Sequence, residues 1–506
     1  MTNRLSAPIR FPLLLGCLCF FIMNGCVKMG LDFRRPDSAV PVPDTYQHAQ
    51  TSLATLDPEE EWWKAFGDPE LNSFVEEVLE NNLDIKTATS RILELRSRLI
   101  QTKADQLPSL NFQGQAQRQR RTTTITSPTF SGGSLNMETR SQPATIDSHS
   151  LSMPASYELD LWGSLAKSEE AARADILQAE ENRRTVAQGV VSESINLYLQ
   201  MESLERRIQI TDNSLNNYRR SLALVESRYK RGLTTILAVR QARRTLVQAE
   251  ADLPVLHQEL GLIQQKLAVL LGRYPGTRPH RIQPEDYFKR LEPVPSGIPS
   301  ELLMRRPDIR AAEAGLRALN ARVSVAIASR FPRITLTGSF GYSSEDLSRL
   351  FKPSSELWNI AFGLVQPIFD AGKLKAGQRV AEVQYRQGIT EYAKIILKAF
   401  SEVEGALLTR KRQIERRDKA LGFLSEAMAT QKVAENRYQK GLEDYLTVLE
   451  AQQTRFRAEE NLVLIDLAIL SNRVNLYRAL GGNWAEPAPI KPDAEKNFKR
   501  IRDYLL

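Results

Sequence analysis

Cysteine chemistry is confined to one end of this 506-residue chain, because Cys17, Cys19 and Cys26 are its only thiols. Arg4 and Arg10 precede an apolar run from Phe11 to Met23, and Asn24-Gly25-Cys26 follows. A basic start, an apolar stretch and a small residue make a secretory signal, and this run is too short to span a bilayer as a helix. A small residue before a cysteine resembles a lipoprotein signal, in which the thiol is acylated and becomes residue one. Cys17 also follows a glycine, but cleavage there leaves a short apolar run and a greasy new terminus. Lipid is therefore expected on Cys26, and the mature chain keeps no other thiol.

Other reactive constellations are missing. His48, His149, His257 and His280 are scattered, with no HExxH or paired-His spacing, and no Gly-rich loop joins a strand to a helix. Carboxylates such as Glu402 and Glu435 fall in helical stretches among Lys and Arg, which reads as solvated helix face. The formal charge of +8 comes from 68 basic and 60 acidic residues, interspersed rather than gathered with aromatics, so nucleic-acid binding is not expected. Neither a catalytic site nor a cofactor other than the covalent lipid is expected.

The elements that carry the remaining residues are long. Between Pro367 and Pro487 there is no proline, and Ile389, Ile396, Val403, then Leu407, Ile414, Leu421 and Met428 recur at heptad spacing. That period predicts one helix of about 65 residues supercoiled against neighbours. Gly441 can take the left-handed conformation that ends it, and a second helix runs back toward Leu480-Gly481. The same hairpin stands earlier. Arg437, Tyr438, Gly441, Leu442, Leu446 and Val448 match Arg228, Tyr229, Gly232, Leu233, Leu237 and Val239 at a constant offset of 209. The chain is an internal duplication.

Toward the N-terminus the offset becomes 224, matching Asp308-Ile309 to Asp84-Ile85 and Gly338 to Gly114. The difference of 224 − 209 = 15 residues lies between Gly114 and Gly163, where Arg118–Thr124 and Ser131–Ser134 have loop composition. One loop is expected to be longer in the first copy. Beside it the pattern has period two: Leu151, Met153, Ala155 and Tyr157; Ile334, Leu336, Phe340 and Tyr342; Trp358, Ile360, Phe362 and Leu364. Leu110 to Gln117 alternates only weakly. Four strands of about ten residues are the expectation, long enough to cross a bilayer when tilted. Four cannot close a barrel alone, so two, three or four copies are needed. Pattern does not choose among them.

The stretches Ser156–Gly163 (SYELDLWG), Leu270–Gly276 (LLGRYPG), Pro299–Glu313 (PSELLMRRPDIRAAE), Phe331–Ser344 (FPRITLTGSFGYSS), Gln366–Gly372 (QPIFDAG) and Leu476–Trp484 (LYRALGGNW) resemble the TolC-like outer membrane factor family. They are most similar to its NodT-type lipoprotein branch, and Gly30–Pro36 (GLDFRRP) resembles the segment after the acylated cysteine there. The resemblance implies an α+β membrane protein whose four strands per protomer form a trimeric twelve-stranded β-barrel, continued by a periplasmic α-helical barrel. It also implies an exit duct for a tripartite efflux system, with a periplasmic adaptor and a resistance-nodulation-division pump as partners, in the outer membrane of a Gram-negative bacterium. A periplasmic adaptor or a structural coiled-coil lipoprotein is the alternative, but the first has one hairpin and the second no strands.

The expected layout is a signal peptide at 1–25, an extended arm at 26–68, a first repeat at 69–275, a linker at 276–298, a second repeat at 299–484 and a tail at 485–506. Helix tips at Gly232-Leu233 and Gly441-Leu442 are expected to dock the adaptor. By family resemblance Leu446 and Glu450 form apolar and acidic rings of a periplasmic gate, with Leu237 and Gln241 at the matching first-copy positions.

Overall fold

The computed structural model describes residues 29–30, 32–36, 42–48, 61–131, 133–276, 291, 294 and 299–482. The signal peptide, Cys26, most of the linker, Trp484 and the tail lie outside the described residues. In chain order the helices are α1 (Pro69–Asn81), α2 (Leu83–Ala104), α3 (Ser164–Lys230), α4 (Ile236–Leu270), α5 (Pro299–Arg305), α6 (Pro307–Ala328), α7 (Lys373–Gln439) and α8 (Tyr445–Ala479). The strands are β1 (Ser109–Leu110), β2 (Gln113–Ser131), β3 (Ser134–Glu158), β4 (Arg333–Ser344) and β5 (Glu356–Val365). Helices α3 and α7 each have 67 residues, and α4 and α8 each have 35. Equal lengths in the two copies make the duplication structural, and 67 residues of helix run about 100 Å.

Contacts divide the chain into two units. The first holds Glu94–Ile176 and Gly315–Ile389 with the start of the arm. Its sheet is antiparallel in the order β1/β2, β3, β4, β5. β1 and β2 are one strand in one register, since Leu110 faces Ala155 and Gln113 faces Ser152. The break falls opposite Pro154, which has no N–H to return to Asn111; only the Asn111 N–H donation to the Pro154 carbonyl remains, at 3.0 Å.

The expected loop is not a loop. Arg118–Thr124 lies wholly within β2, and β2 and β3 run for 19 and 25 residues rather than about ten. The turn falls between Ser131 and Ser134, which are paired, with Gly133 at φ 83°. β-Branched threonines favour extended backbone, and facing hydroxyls join the strands: Thr124 with Ser141 at 3.4 Å, Thr126 with Thr139 at 3.3 Å. The fifteen extra residues therefore lengthen a β-hairpin.

The second unit holds Pro36–Leu93, Leu177–Ala314 and the chain from Thr390 onward. The arm does not stay extended to its end. Trp62–Phe66 forms a 3₁₀ turn that buries Trp62, Trp63 and Phe66 with Phe74, Val78, Ile195, Tyr198 and Leu267. Trp62 stacks on Tyr477 with centroids 4.9 Å apart. Asp68 caps α1 through the Glu70 N–H at 2.9 Å and accepts the buried Tyr198 hydroxyl at 3.0 Å.

Each copy fastens the end of its second long helix to the start of its repeat, with different chemistry. Asn82 accepts from the Asp84 and Ile85 N–H groups and donates Nδ2 to the Leu270 carbonyl at 3.0 Å. At offset 224 stands Arg306, whose Nη1 donates to the carbonyl of Ala479, the offset-209 match of Leu270, at 3.1 Å. Arg306 also grips both Asp308 oxygens at 3.0 and 2.6 Å and Glu402 at 2.8 Å. Glu402 is thus an ion-pair partner rather than a solvated carboxylate. Removing a buried cation strands its partners at a cost of about 3–5 kcal/mol. Arg306→Met is expected to lower unfolding stability by that order, and Arg306→Lys to recover under half of it, because an ammonium cannot form the two-pronged contact; denaturant midpoints of the three proteins check this.

Candidate functional site

The hairpin tips come from backbone bookkeeping at helix ends. The last carbonyls of α3 have no partner within the helix. Gly232 at φ 73° lets the chain reverse, so that the Gly232 N–H donates to the Tyr229 carbonyl and the Leu233 N–H to the Arg228 carbonyl, both at 2.9 Å. The second tip repeats this with Gly441 at φ 76°, donating to Tyr438 at 3.0 Å, and Leu442 donating to Arg437 at 2.9 Å. These are paired six-to-one and five-to-two bonds in which an L side chain at the glycine position is strained. Caps then restart the chain: Thr235 accepts from the Ala238 N–H at 3.4 Å, Asp444 from the Thr447 N–H at 3.1 Å.

A leucine one residue past such a glycine ordinarily packs back on its helix. Here Leu233 and Leu442 remain 59% and 63% exposed. Ile236, Leu237 and Tyr229 are exposed beside Leu233. The apolar surface at both tips is more than turn formation requires.

The expected gate residues lie on the next helix turn. Tyr445, Val448, Leu449 and Ala451 of α8 are buried with Val225, Ala238, Val239 and Tyr438. Leu446 and Glu450 point away from that cluster, with Leu446 41% exposed and Glu450 exposed. Their spacing of four places them on one face. At the first-copy positions Leu237 is exposed and Gln241 half-buried. Glu435 is not a solvated carboxylate; it accepts from Gln431 at 2.7 Å and Gln452 at 3.0 Å.

The sheet presents a second surface. In register, Leu110 faces Ala155, Met153 faces Phe340, and Phe340 faces Trp358; Tyr157 faces Leu336, which faces Phe362. Trp358 is 71% exposed, and Ile360, Phe362 and Leu364 are exposed with it. The other face carries Ser152, Ser156, Thr335, Thr337, Ser339 and Asn359. One face suits hydrocarbon and one suits water. Ten residues of tilted strand reach about 25 Å, the height of an outer-membrane barrel's apolar band. Among the described residues no helix is long and apolar enough to cross a membrane, and no His/Cys/Asp/Glu group could hold a metal.

A family model described as outer membrane efflux protein matches residues 74–273 and 298–482. The chain belongs to the outer membrane efflux protein family. It is 32% identical to the cation efflux system protein CusC of Escherichia coli O6:H1, covering 92% of this chain and 97% of that one. It is 30% identical to a probable outer membrane lipoprotein, SilC, of Salmonella typhimurium, covering 94% and 99%. The solved outer-membrane channel OprN superposes with a TM-score of 0.81 at 27% identity, covering 90% and 99%. The protein is accordingly an outer-membrane efflux channel. Its strands are one protomer's share of a transmembrane β-barrel and its hairpins a share of the periplasmic α-helical barrel.

One residue of this channel's tips escapes sequence reasoning. Arg228 donates from Nη1 to the Tyr438 carbonyl at 2.8 Å and lies over the Tyr438 ring, 4.6 Å from its centroid. It thereby holds the end of the other hairpin. Its counterpart Arg437 instead meets Glu443 in its own turn, at 3.4 Å. The repeated Arg-Tyr pair was the available signal, but a partner that is a backbone carbonyl leaves no mark in a sequence. A bond from a charged donor contributes about 1.5–3 kcal/mol, so Arg228→Ala is expected to speed hydrogen exchange at the Gly441 and Leu442 amides by about tenfold or more. Arg437→Ala is expected to change those rates little. Equal effects of the two substitutions would remove the brace.

Proposed function

We propose that three copies of the chain close a twelve-stranded barrel and form the exit duct of a tripartite efflux system, receiving cargo from a periplasmic adaptor and an inner-membrane pump of the resistance-nodulation-division type. The observation that carries this is the open sheet, with β1/β2 at one edge and β5 at the other. Unpaired edges are not tolerated in lipid, and four strands are too few to close. Exposed Val365, Ile368 and Phe369 at the β5 edge, and Leu107, Leu110 and Phe112 at the β1 edge, supply apolar surface for a head-to-tail ring. The reading involves conduction without a catalytic step or cofactor.

The lipid anchor belongs to the same proposal, with acyl chains on Cys26 and Val27 behind it directing the protein outward. Support comes from the arm. The Met29 N–H donates to the Trp162 carbonyl at 3.1 Å, and Trp162 stacks on Phe331 beside the first residues of β4. Asp32 pairs with buried Lys167 at 3.4 Å, and Phe33 lies under Arg317. These contacts tie Met29, three residues after Cys26, beside Trp162 and the first residues of β4. Cys26→Ser is expected to abolish fatty-acid labelling while leaving heat-modifiable trimer on gels. Labelling that survives this change and vanishes with Cys17→Ser would move the anchor.

At the other end, Leu446 and Glu450 narrow the duct, each repeated into a ring by the threefold axis. Three carboxylates around a narrow opening concentrate negative potential and favour cations. Because Gln241 replaces Glu450 in the first copy, the acidic ring comes from the second hairpin alone. In planar bilayers, Leu446→Ala with Glu450→Ala is expected to raise single-channel conductance and weaken cation preference. A folded double mutant with unchanged conductance and selectivity would reject the gate.

A further inference from the structure

The two tips share a turn and differ in charge. Residues 219–245 hold eight Lys and Arg against one Glu, a net +7, whereas the matching residues 428–454 hold three against four, a net −1. The turn does not require six of these cations, since the second copy closes the same bonds at the same glycine with Met428, Ala429, Gln439, Leu449, Gln452 and Gln453 in place of Arg219, Arg220, Lys230, Arg240, Arg243 and Arg244. The difference therefore lies in what the surfaces meet.

Half of those six cations, Arg240, Arg243 and Arg244, lie on one face of α4. On α8, Tyr445, Leu449 and Gln452 are buried. The same face of α4, 209 residues earlier, carries Ile236, Arg240 and Arg243, all exposed. Arg243 pairs with Glu226 at 2.7 Å and Arg219 with Glu250 at 3.1 Å. Arg220, Lys230, Arg231, Arg240 and Arg244 are exposed with no ion pair to a described residue. Leu233 in the turn and Ile236 and Leu237 in the first turn of α4, all exposed, stand among them.

We propose that the first tip, with the Ile236–Arg240–Arg244 face of α4, is a docking surface for an acidic helical hairpin of a partner protein, and that the two tips are chemically different docking sites. The proposal rests on the reading that the adaptor docks at the tips, and it adds the charge of the segment that binds the first one. Apolar contact at Leu233 and Leu237 gives the partner helix its hold, and the surrounding guanidinium groups select carboxylates and speed encounter. A basic hairpin is repelled there.

The test uses the full-length trimer in detergent and two synthetic leucine-seamed helical hairpins of equal length, one with Glu and one with Lys on its outer faces. The Glu hairpin is expected to bind, to weaken by about tenfold between about 50 and about 300 mM NaCl, and to exceed the Lys hairpin by about tenfold or more. Arg240→Glu with Arg244→Glu is expected to remove that preference, while Glu443→Lys leaves it within about twofold. Equal binding of both hairpins, or loss of trimer in the arginine variant, overturns the proposal, the latter because the cations would then belong to a contact between copies. Leu233→Ser with Leu442→Ser separates the two readings. Charge-independent binding that this change abolishes leaves tip docking standing and removes only the charge selection; binding of the Glu hairpin that this change leaves intact removes both.

Discussion

An unpaired strand edge in hydrocarbon is the constraint on which the rest of this chain depends. Each backbone N–H or C=O left without a partner there costs several kcal/mol, and the sheet ends on two such edges, β1/β2 and β5. Its lateral contacts must therefore come from other copies. That requirement explains why apolar side chains crowd both edges and one face, an arrangement that a water-soluble monomer rarely exposes. It also explains why serine and threonine line the opposite face, where Ser156, Thr337 and Ala361 stand in one row.

The same accounting of backbone groups governs the helices. Among the described residues, four long helices of the hairpins end on a glycine at positive φ followed by the paired reversal bonds: Gly232, Gly272, Gly441 and Gly481. At three of these ends a side chain from elsewhere in the fold adds a donor to a terminal carbonyl. Asn82 takes that of Leu270, Arg306 that of Ala479 and Arg228 that of Tyr438. Helices of this length gain most of their stability from packing rather than propensity, so ends that are fastened also fix the register of the hairpins.

Much of this was legible in the sequence, and the failures share a cause. Heptad spacing and the 209-residue offset located α3, α4, α7 and α8 because a buried seam leaves a periodic trace. Period two located β4, β5 and the apolar half of β3 because one face meets hydrocarbon. It missed the outer part of the β2–β3 hairpin, where Arg118 faces Asp147 at 3.4 Å and both faces are polar. A strand wet on both sides has no hydrophobic period, and its Thr and Gln content imitates a loop. Likewise Glu402 and Glu435 looked solvated because their partners, Arg306 and Gln452, are 96 and 17 residues away. Leu446 and Glu450 could be placed on one face from spacing alone, whereas the gate proposed for that face rests on resemblance.

Duplication explains why geometry and chemistry part company in this molecule. Both copies inherited the same turn, and steric limits on positive φ keep a glycine at each tip whatever the tip touches. Side chains around the turn carry no such limit. Arg228 therefore crosses to the other hairpin while Arg437 stays with Glu443, and a leucine buried on α8 is an arginine exposed on α4. Identical surfaces at both tips would ask one partner segment to fit every position around the duct. Divergent surfaces on a shared backbone let a repeated architecture distinguish its positions, and they do so at the level where a substitution changes a contact without disturbing the fold.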